Sequence, residues 1–588
     1  MPDVRTRSTR RLLLALGVAS LAGALALPAT AAPGGPPRPT PPGKPAPAGS
    51  AVDVQLLAFN DFHGHLEPSN GPDGLVGTTP AGGSEYLASH LAALRTGKKN
   101  SFTVAAGDLI GGSPFLSGLF RDEPSVESLN ALGLDVSSVG NHEFDRGVDE
   151  LLRMQQGGCH PVDGCYFPRD PYEGADFPWL AANVTEDATG DTVLPPYEIK
   201  NVRGGKIAFI GMTLEGTPQL VAQAGIEGYS FADEADTANA LVPELERRGV
   251  NAIVVLLHEG GSQLPDSPID GCNGISGPVV EIQNRLDPAI DVVVTGHTHQ
   301  PYNCVLSDPA GKDRRVTSTF SFGRVISEIN FSYDRRSRDI DRSSVTAVNH
   351  LVDRTVTPDP AQTAVITKWK PLSAVLGNER VGTIGASILR ATGPEDRGTE
   401  SSLGNLVADA QLAATTANGA QIALMNPGGL RADLPFASSP SGEGDGVVTY
   451  RESYDVQPFG NLLSTIPMTG EQIVRVLEQQ CQAARHLQLS TSAGFTYDQS
   501  RTPGRGCTGI TISNPRLNGV PLVPTATYQV TVNNFLADGG DSLTVFREVP
   551  ASTRVGAGVD LDALNAYLGA NSPVAPPATD RVNELPAP

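Results

Sequence analysis

Aromatic side chains are scarce in this chain of 588 residues, at 5% of the total with only 2 Trp. A ring beside a glycine-rich turn is therefore a feature to follow. Basic charge is also short: 43 Lys and Arg stand against 64 Asp and Glu, a formal charge of −21. Such a surface argues against nucleic acid polymers as partners, because phosphate backbones are held by neutralising Lys and Arg. Small phosphate compounds stay open, since a few local cations or metal ions can hold them. None of the 6 cysteines has the CxxC spacing of a thiolate metal site. Beyond the N-terminal segment no run is long and apolar enough to cross a bilayer, which argues against stable membrane insertion. No short internal repeat is evident, and the C-terminal end shows neither a sorting motif nor a hydrophobic tail.

The N-terminal segment is a processing signal by its pattern. Arg5, Arg7, Arg10 and Arg11 precede "LLLALGVASLAGALAL" and the small-x-small triplet Ala29-Thr30-Ala31. This predicts an export signal over residues 1–31, of twin-arginine type or for the general secretory route. The expected location is secreted, cell-wall associated or periplasmic. Residues 32–50 form a Pro-rich linker that cannot bury enough apolar surface to fold. An even cysteine count in an exported chain suggests disulfides. The simplest pairing joins sequence neighbours: Cys159–Cys165, Cys272–Cys304 and Cys481–Cys507.

From 52 to about 345, β-branched apolar runs alternate with helical patterns, which predicts a layered α/β domain. Residues 346–380 are expected to be a helical connector, with Pro371 inside its helix. A second α/β domain is expected over 381–570, and 571–588 is Pro/Ala-rich and expected to be a disordered tail.

Apolar run after apolar run in the first domain ends in a metal-competent side chain. "LLAFNDFH" supplies Asp61 and His63, "FTVAAGD" Asp108, "VSSVGNH" Asn141 and His142, "AIVVLLH" His258, and "DVVVTGHTH" His297 and His299. Ligands in α/β sheets bind beyond the carboxyl ends of strands, so these residues should converge on one rim. Each short motif alone is more often a turn or a cap; the ordered set is a much stronger signal. Mixed oxygen and imidazole donors suit Zn²⁺, Mn²⁺, Fe, Co²⁺ or Ni²⁺ better than Ca²⁺. They are too many for one tetrahedral ion and about right for two ions sharing a carboxylate. Such a pair can stabilise both oxygens of an in-line phosphoryl displacement. Gly before Asp108, Asn141 and His297 fits a backbone that turns sharply and approaches closely.

The blocks "AFNDFHGHLEP", "GDLIGGSP", "GNHEFDRG", "LLHEGG" and "VTGHTHQP" resemble the 5′-nucleotidase family of calcineurin-like metallophosphoesterases, over residues 52–570. The resemblance implies a layered β-sandwich metallophosphoesterase domain with flanking helices, then a second α/β substrate-binding domain. It implies one metal site of Asp61, His63, Asp108 and His299 and another of Asp108, Asn141, His258 and His297, with Asp108 bridging two divalent ions, of Zn, Mn or Co. His142 and Asp145 would be the catalytic dyad. Helix spacing lets Asp145 orient the ring of His142, which can then donate to a phosphoryl oxygen. Glu143 is left without a role.

The second domain carries the substrate argument. Phe459 in "VQPFGNLL" and Phe535 in "VNNFLADGGDSL" could clamp a base between two rings, an arrangement tolerant of base identity. Taken alone, a Phe is more often core and an Arg more often solvated. By the resemblance, Phe459 and Phe535 sandwich the base, Asn461 contacts it, Asp541 holds the ribose, and Arg397 and Arg431 bind phosphate or the sugar edge. The expected function is an exported phosphohydrolase acting on nucleoside 5′-monophosphates for nucleotide scavenging. The same machinery could serve 2′,3′-cyclic nucleotides or UDP-sugars. A surface adhesion protein with an inactive core is disfavoured by the intact ligand set, and a protein phosphatase by the Phe pair. The partner expected is a small nucleotide.

Overall fold

The computed structural model describes residues 51–69, 71–264, 267–391, 397–437, 442–482, 485–502, 507 and 509–586. The expected export signal and the whole of the linker lie outside them. No described helix is long and apolar enough to cross a membrane.

Two six-stranded sheets form the first part of the chain. The first runs in the order Asp339–Leu351, Val325–Asp334, Ala51–Phe59, Ser101–Ala106, Val136–Ser138, Trp179–Leu180. The second runs Tyr302–Ser307, Asp313–Ser318, Val292–Thr295, Ala252–His258, Gly205–Thr213, Tyr197–Val202. Their central strands pair in parallel; antiparallel strands close both edges of the second sheet and one edge of the first, whose other edge, Trp179–Leu180, is parallel. Alternation along each strand sets the layers. Val54, Leu56 and Ala58 meet Phe209, Val254, Leu256 and Val292 between the sheets. Leu57 and Phe59 point outward under helices such as Ser84–Arg95 and Glu123–Leu132. Ile253, Val255 and Leu257 point the other way, into a core with residues of helices Glu234–Arg247 and Pro278–Arg285. Both faces of Ala252–His258 are covered, so every residue in it is buried and its sequence shows no polar alternation.

Strand Asp339–Leu351 carries the first part past the expected boundary at 345. The expected connector then becomes helix Pro360–Gly377, capped by the Asp359 side chain, with Pro371 inside it. It is no free linker. Trp369 is buried against the first part and donates its indole N–H to Glu127 at 2.8 Å. The second part centres on a five-stranded sheet in the order Ser490–Thr491, Ile422–Met425, Thr527–Asn533, Leu462–Thr469, Val555–Val559. A four-stranded sheet lies beside it in sequence, of Val520–Pro521, Ile510–Leu517, Phe495–Arg501 and Val582–Leu585.

The last of these strands corrects the expectation of a disordered tail. Val582–Leu585 pairs in parallel with Phe495–Arg501, and Arg581 makes a two-nitrogen contact to Asp409 at 2.8 Å. Composition hid this because the edge that orders the tail comes from a strand more than eighty residues earlier. The three expected disulfides are all present, with Cα–Cα distances of 4.6, 5.0 and 4.9 Å. The two parts touch through polar anchors: Asp455 accepts from the Phe115 amide at 2.6 Å, and Arg390 reaches Asp73 at 2.6 Å.

Candidate functional site

The strand-end residues do converge. Asp61, His63 and His299 form one group, and Asp108, His258 and His297 another, with the donor atoms in each group within 4.8 Å of one another. In the first, His299 Nε2 lies 3.2 Å from both Asp61 Oδ1 and His63 Nε2. In the second, His258 Nε2 is 3.0 Å from Asp108 Oδ2, and His297 Nδ1 is 3.0 Å from Asn141 Oδ1. Asp108 Oδ2 also lies 3.6 Å from His63 Nε2, so a single carboxylate oxygen faces both groups. All seven residues of the two expected sets, Asp61, His63, Asp108 and His299, and Asp108, Asn141, His258 and His297, are therefore brought together.

The backbone is held hard to achieve this. Asp61, His63, Asp108, His297 and His299 all have positive φ, between 46° and 69°. Each such non-glycine residue costs of order 1–3 kcal/mol and persists where the surroundings over-determine it, typically at functional sites. Two glycines permit the crowding. A Cβ on Gly107 would lie 2.6 Å from Gly140 N, and one on Gly140 would lie 2.2 Å from Asp108 Oδ1.

The donor set fits cations. His63 Nδ1 donates to the Gly111 carbonyl at 2.8 Å and His258 Nδ1 to the Ala106 carbonyl at 2.7 Å. Both rings therefore turn an Nε2 lone pair into the site. The buried His258 Nε2 makes no hydrogen bond of good geometry, although Asp108 Oδ2 lies only 3.0 Å away. Lone pairs facing carboxylate oxygens and one another repel unless a positive charge lies between them. Without a metal that charge is a proton: burial disfavours it, but Asp108 and Asp61 hold the His258 pKa up at about 10. Burial instead pushes the His63 and His297 rings well below their ordinary value. Burial opposes ionisation of Asp108 too, yet His258 and His142 hold its carboxyl well below the usual range.

His142 stands beside these groups and is paired as expected, its Nδ1 2.8 Å from Asp145 Oδ2. Its amide donates to Asp108 Oδ1 at 2.8 Å, which ties the dyad to the bridging carboxylate. Glu143, left without a role by its sequence position, acquires one. Its Oε2 accepts from the amides of Asp108 at 2.9 Å and Gly140 at 2.5 Å, and its Oε1 from Leu109 at 2.7 Å. One buried carboxylate thus clamps the loops carrying Asp108 and Asn141. Burial and the neighbouring Asp108 raise its pKa to about 8.

A cavity of about 380 Å³ joins this rim to the second part of the chain. That lies within the range of roughly 300–1,000 Å³ usual for small-molecule sites. Asp108, Asn141, His142, Asp145, His297 and His299 line one side; Arg397, Arg431, Phe459, Asn461, Phe535 and Asp541 line the other. Asp61, His63 and His258 sit behind the first side. The Phe459 ring stacks on His142 with centroids 5.7 Å apart and planes at 19°. The Arg431 guanidinium lies 5.8 Å over the same ring. Desolvation and then Arg397 depress the Arg431 pKa to about 10, so it stays charged at neutral pH.

Asp541, at φ 53°, is held by Asn426 Nδ2 at 3.0 Å, and its carbonyl accepts from Gln482 Nε2 at 2.6 Å. Asn426 and Arg485 line the cavity and were missed in the sequence. Asn426 ends the apolar run "QIALMN", the same strand-end signal that marked the first domain. Arg485, with Nη2 3.8 Å from Asp541 Oδ1, had no such signal.

Two family models match the chain: calcineurin-like phosphoesterase over residues 54–301, and 5′-nucleotidase, C-terminal domain, over residues 380–548. Endonuclease YhcR of Bacillus subtilis (strain 168) is 34% identical over 491 residues, covering 83% of this chain and 37% of that protein. Cell wall protein Lmo0130 of Listeria monocytogenes is 32% identical over 530 residues, covering 86% and 66%. The chain therefore spans less than two thirds of the length of these relatives. Among solved structures, a 5′-nucleotidase precursor from Thermus thermophilus matches with a TM-score of 0.73 at 26% identity, covering 91% of this chain and 99% of that one.

Proposed function

The chain belongs to the 5′-nucleotidase family, a calcineurin-like phosphoesterase domain followed by a 5′-nucleotidase C-terminal domain, and from that premise we propose that it is an exported, metal-dependent hydrolase of nucleoside 5′-monophosphates. One observation carries the reading: a single cavity is lined on one side by convergent His, Asp and Asn donors and on the other by Phe459, Phe535, Asn461 and Asp541.

Asp61, His63, Asp108 and His299 would hold one divalent ion, and Asp108, Asn141, His258 and His297 the other. When bound, such ions supply Lewis-acid stabilisation of phosphoryl oxygens and a reactive water at neutral pH. The remaining work belongs to the chain. His142, with Nδ1 held by Asp145, presents Nε2 as a donor to a phosphoryl oxygen as charge develops there. Arg431 and Arg397 attract the phosphate. Phe459 and Phe535 offer faces to a base, Asp541 accepts from ribose hydroxyls, and the second domain retains the nucleoside while phosphate leaves. The disulfides, the expected signal and the similarity to a cell wall protein support export.

The test is phosphate release from a nucleotide panel, before and after a chelator and then with Mn²⁺, Zn²⁺ or Co²⁺ restored. Release from AMP, lost on chelation and recovered with metal, is expected. Metal-independent release, or hydrolysis of aryl phosphates with no nucleotide turned over, would refute the reading.

A further inference from the structure

Behind the cavity wall that carries Asn461 lies a charged residue with no part in the chemistry above. Asp560 begins helix Asp560–Asn571 and is 1% exposed. Its Oδ2 accepts from Asn461 Nδ2 at 3.2 Å and its Oδ1 from the Leu561 amide at 2.8 Å. Its own amide donates to the Asn461 carbonyl at 2.9 Å, so the two residues are tied twice. Asn461 lines the cavity, two residues from Phe459, while Asp560 stands outside it.

A carboxylate can only accept hydrogen bonds. Asn461 must therefore give its NH₂ group to Asp560, and that choice decides which end of the amide is left for the cavity. Turned round, the amide would set its oxygen against a buried carboxylate. Among the described residues no donor is directed at Asn461 Oδ1. Stacking on Phe459 and Phe535 cannot choose between bases, because every base has a π-face. Selection has to come from a polar group at the base edge.

We propose that Asp560 locks the Asn461 amide with its carbonyl oxygen toward the nucleobase, so that the site favours bases presenting an amino group there, adenine and cytosine, over the keto bases hypoxanthine and uracil. The inference rests on the nucleotidase reading and adds the base selectivity of that same site. An amino base donates to Oδ1. A keto base brings a second oxygen to it and leaves the site's own acceptor unpaired, the situation in which polar sites discriminate most strongly. Asp560 acts through Asn461 and is a positioning residue. Burial raises its pKa to about 7 against the pull of its donors, so measurement at pH 8.5 keeps it a carboxylate.

The experiment measures kcat/KM for AMP, IMP, CMP and UMP at pH 8.5, each divided by the value for an aryl phosphate, which carries no base. Wild-type ratios of AMP to IMP and CMP to UMP of roughly 5 to 10 are expected, the size of one net hydrogen bond. In Asp560→Asn the new NH₂ can donate to Asn461 Oδ1 and reverse the amide, and both ratios should fall below one. In Asn461→Ala both should approach one. Wild-type ratios within twofold of one would overturn the proposal. So would unchanged ratios in an Asp560→Asn protein that unfolds at the wild-type Tm. If Asp560→Asn does not fold, Asn461→Ala decides alone, and unchanged ratios there overturn it. Failure of the underlying reading looks different: the aryl phosphate is hydrolysed and none of the four nucleotides is, and the proposal falls with it.

Discussion

The two sides of the cavity are built by opposite means. On the strand-end side, Asp61, His63, Asp108 and His258 are almost fully buried, and most of that rim adopts left-handed backbone. On the facing side, Phe459, Phe535, Asn461 and Arg431 are half-exposed, and their backbone is ordinary; only Asp541 shares the left-handed conformation. Fixed point charges need rigid loops, and Glu143 supplies part of that rigidity by accepting from both of them. Recognition of a flat base needs faces and one or two polar atoms, which ordinary secondary structure can offer. The difference predicts that damage to one side costs rate, while damage to the other costs affinity and selectivity.

The largest effect should come from Asp108→Ala. Removing the oxygen shared by both groups should lower kcat by roughly 10³-fold or more, at or beyond the effect of losing a single stabilising donor. Metal content, measured by elemental analysis after dialysis, should fall with it; full activity would break the comparison. Next is His142→Ala, expected to lower kcat by roughly 10²- to 10³-fold with metal content unchanged. Asn141→Ala should instead reduce metal content, and that contrast separates ligand from dyad.

On the other side, Phe535→Ala should raise KM for AMP by roughly 5- to 150-fold, the worth of one stacked base, with a smaller change for an aryl phosphate. Equal losses on both substrates would refute stacking. Phe459→Ala should be less clean, because that ring also stacks on His142. The smallest effect is on stability. Burial raises the Asp560 pKa to about 7, above its unfolded value. The folded state therefore holds a proton there that the unfolded chain has already lost, and stability falls as pH rises from about 4 to 7. Asp560→Asn has no such titration. Denaturant midpoints at pH 5 and pH 8 should show wild type losing more than the variant over that interval.

How far these parts could be read in advance follows from their distance along the chain. Asp61, His63, Asp108, Asn141, His258, His297 and His299 were legible because each ends an apolar run, and a parallel sheet gathers strand ends on one side. The pairing of His142 with Asp145 was legible because it spans one turn. Asn426 obeys the same strand-end rule and could have been found. Glu143 was visible but mute: its partners are backbone amides, that of Gly140 nearby and those of Asp108 and Leu109 35 and 34 residues away, and amides leave no mark in a sequence. Asp560 lies 99 residues from Asn461, and nothing local marks the start of its helix as part of a site. The order of the tail from 571 is hidden for the same reason, since the edge that orders Val582–Leu585 belongs to another segment.

The amino-acid sequence by itself determined the layered α/β architecture, the donor types at each strand end and the two rings beside polar turns, because hydrophobic period and strand termination are local properties. Tertiary structure alone decided that one oxygen of Asp108 faces both donor groups. It also decided that Glu143 clamps their loops, that Phe459 lies on His142 across two parts of the chain, and that Asp560 dictates which end of Asn461 meets the cavity. Each of these depends on distances between residues that covalent order does not bring together.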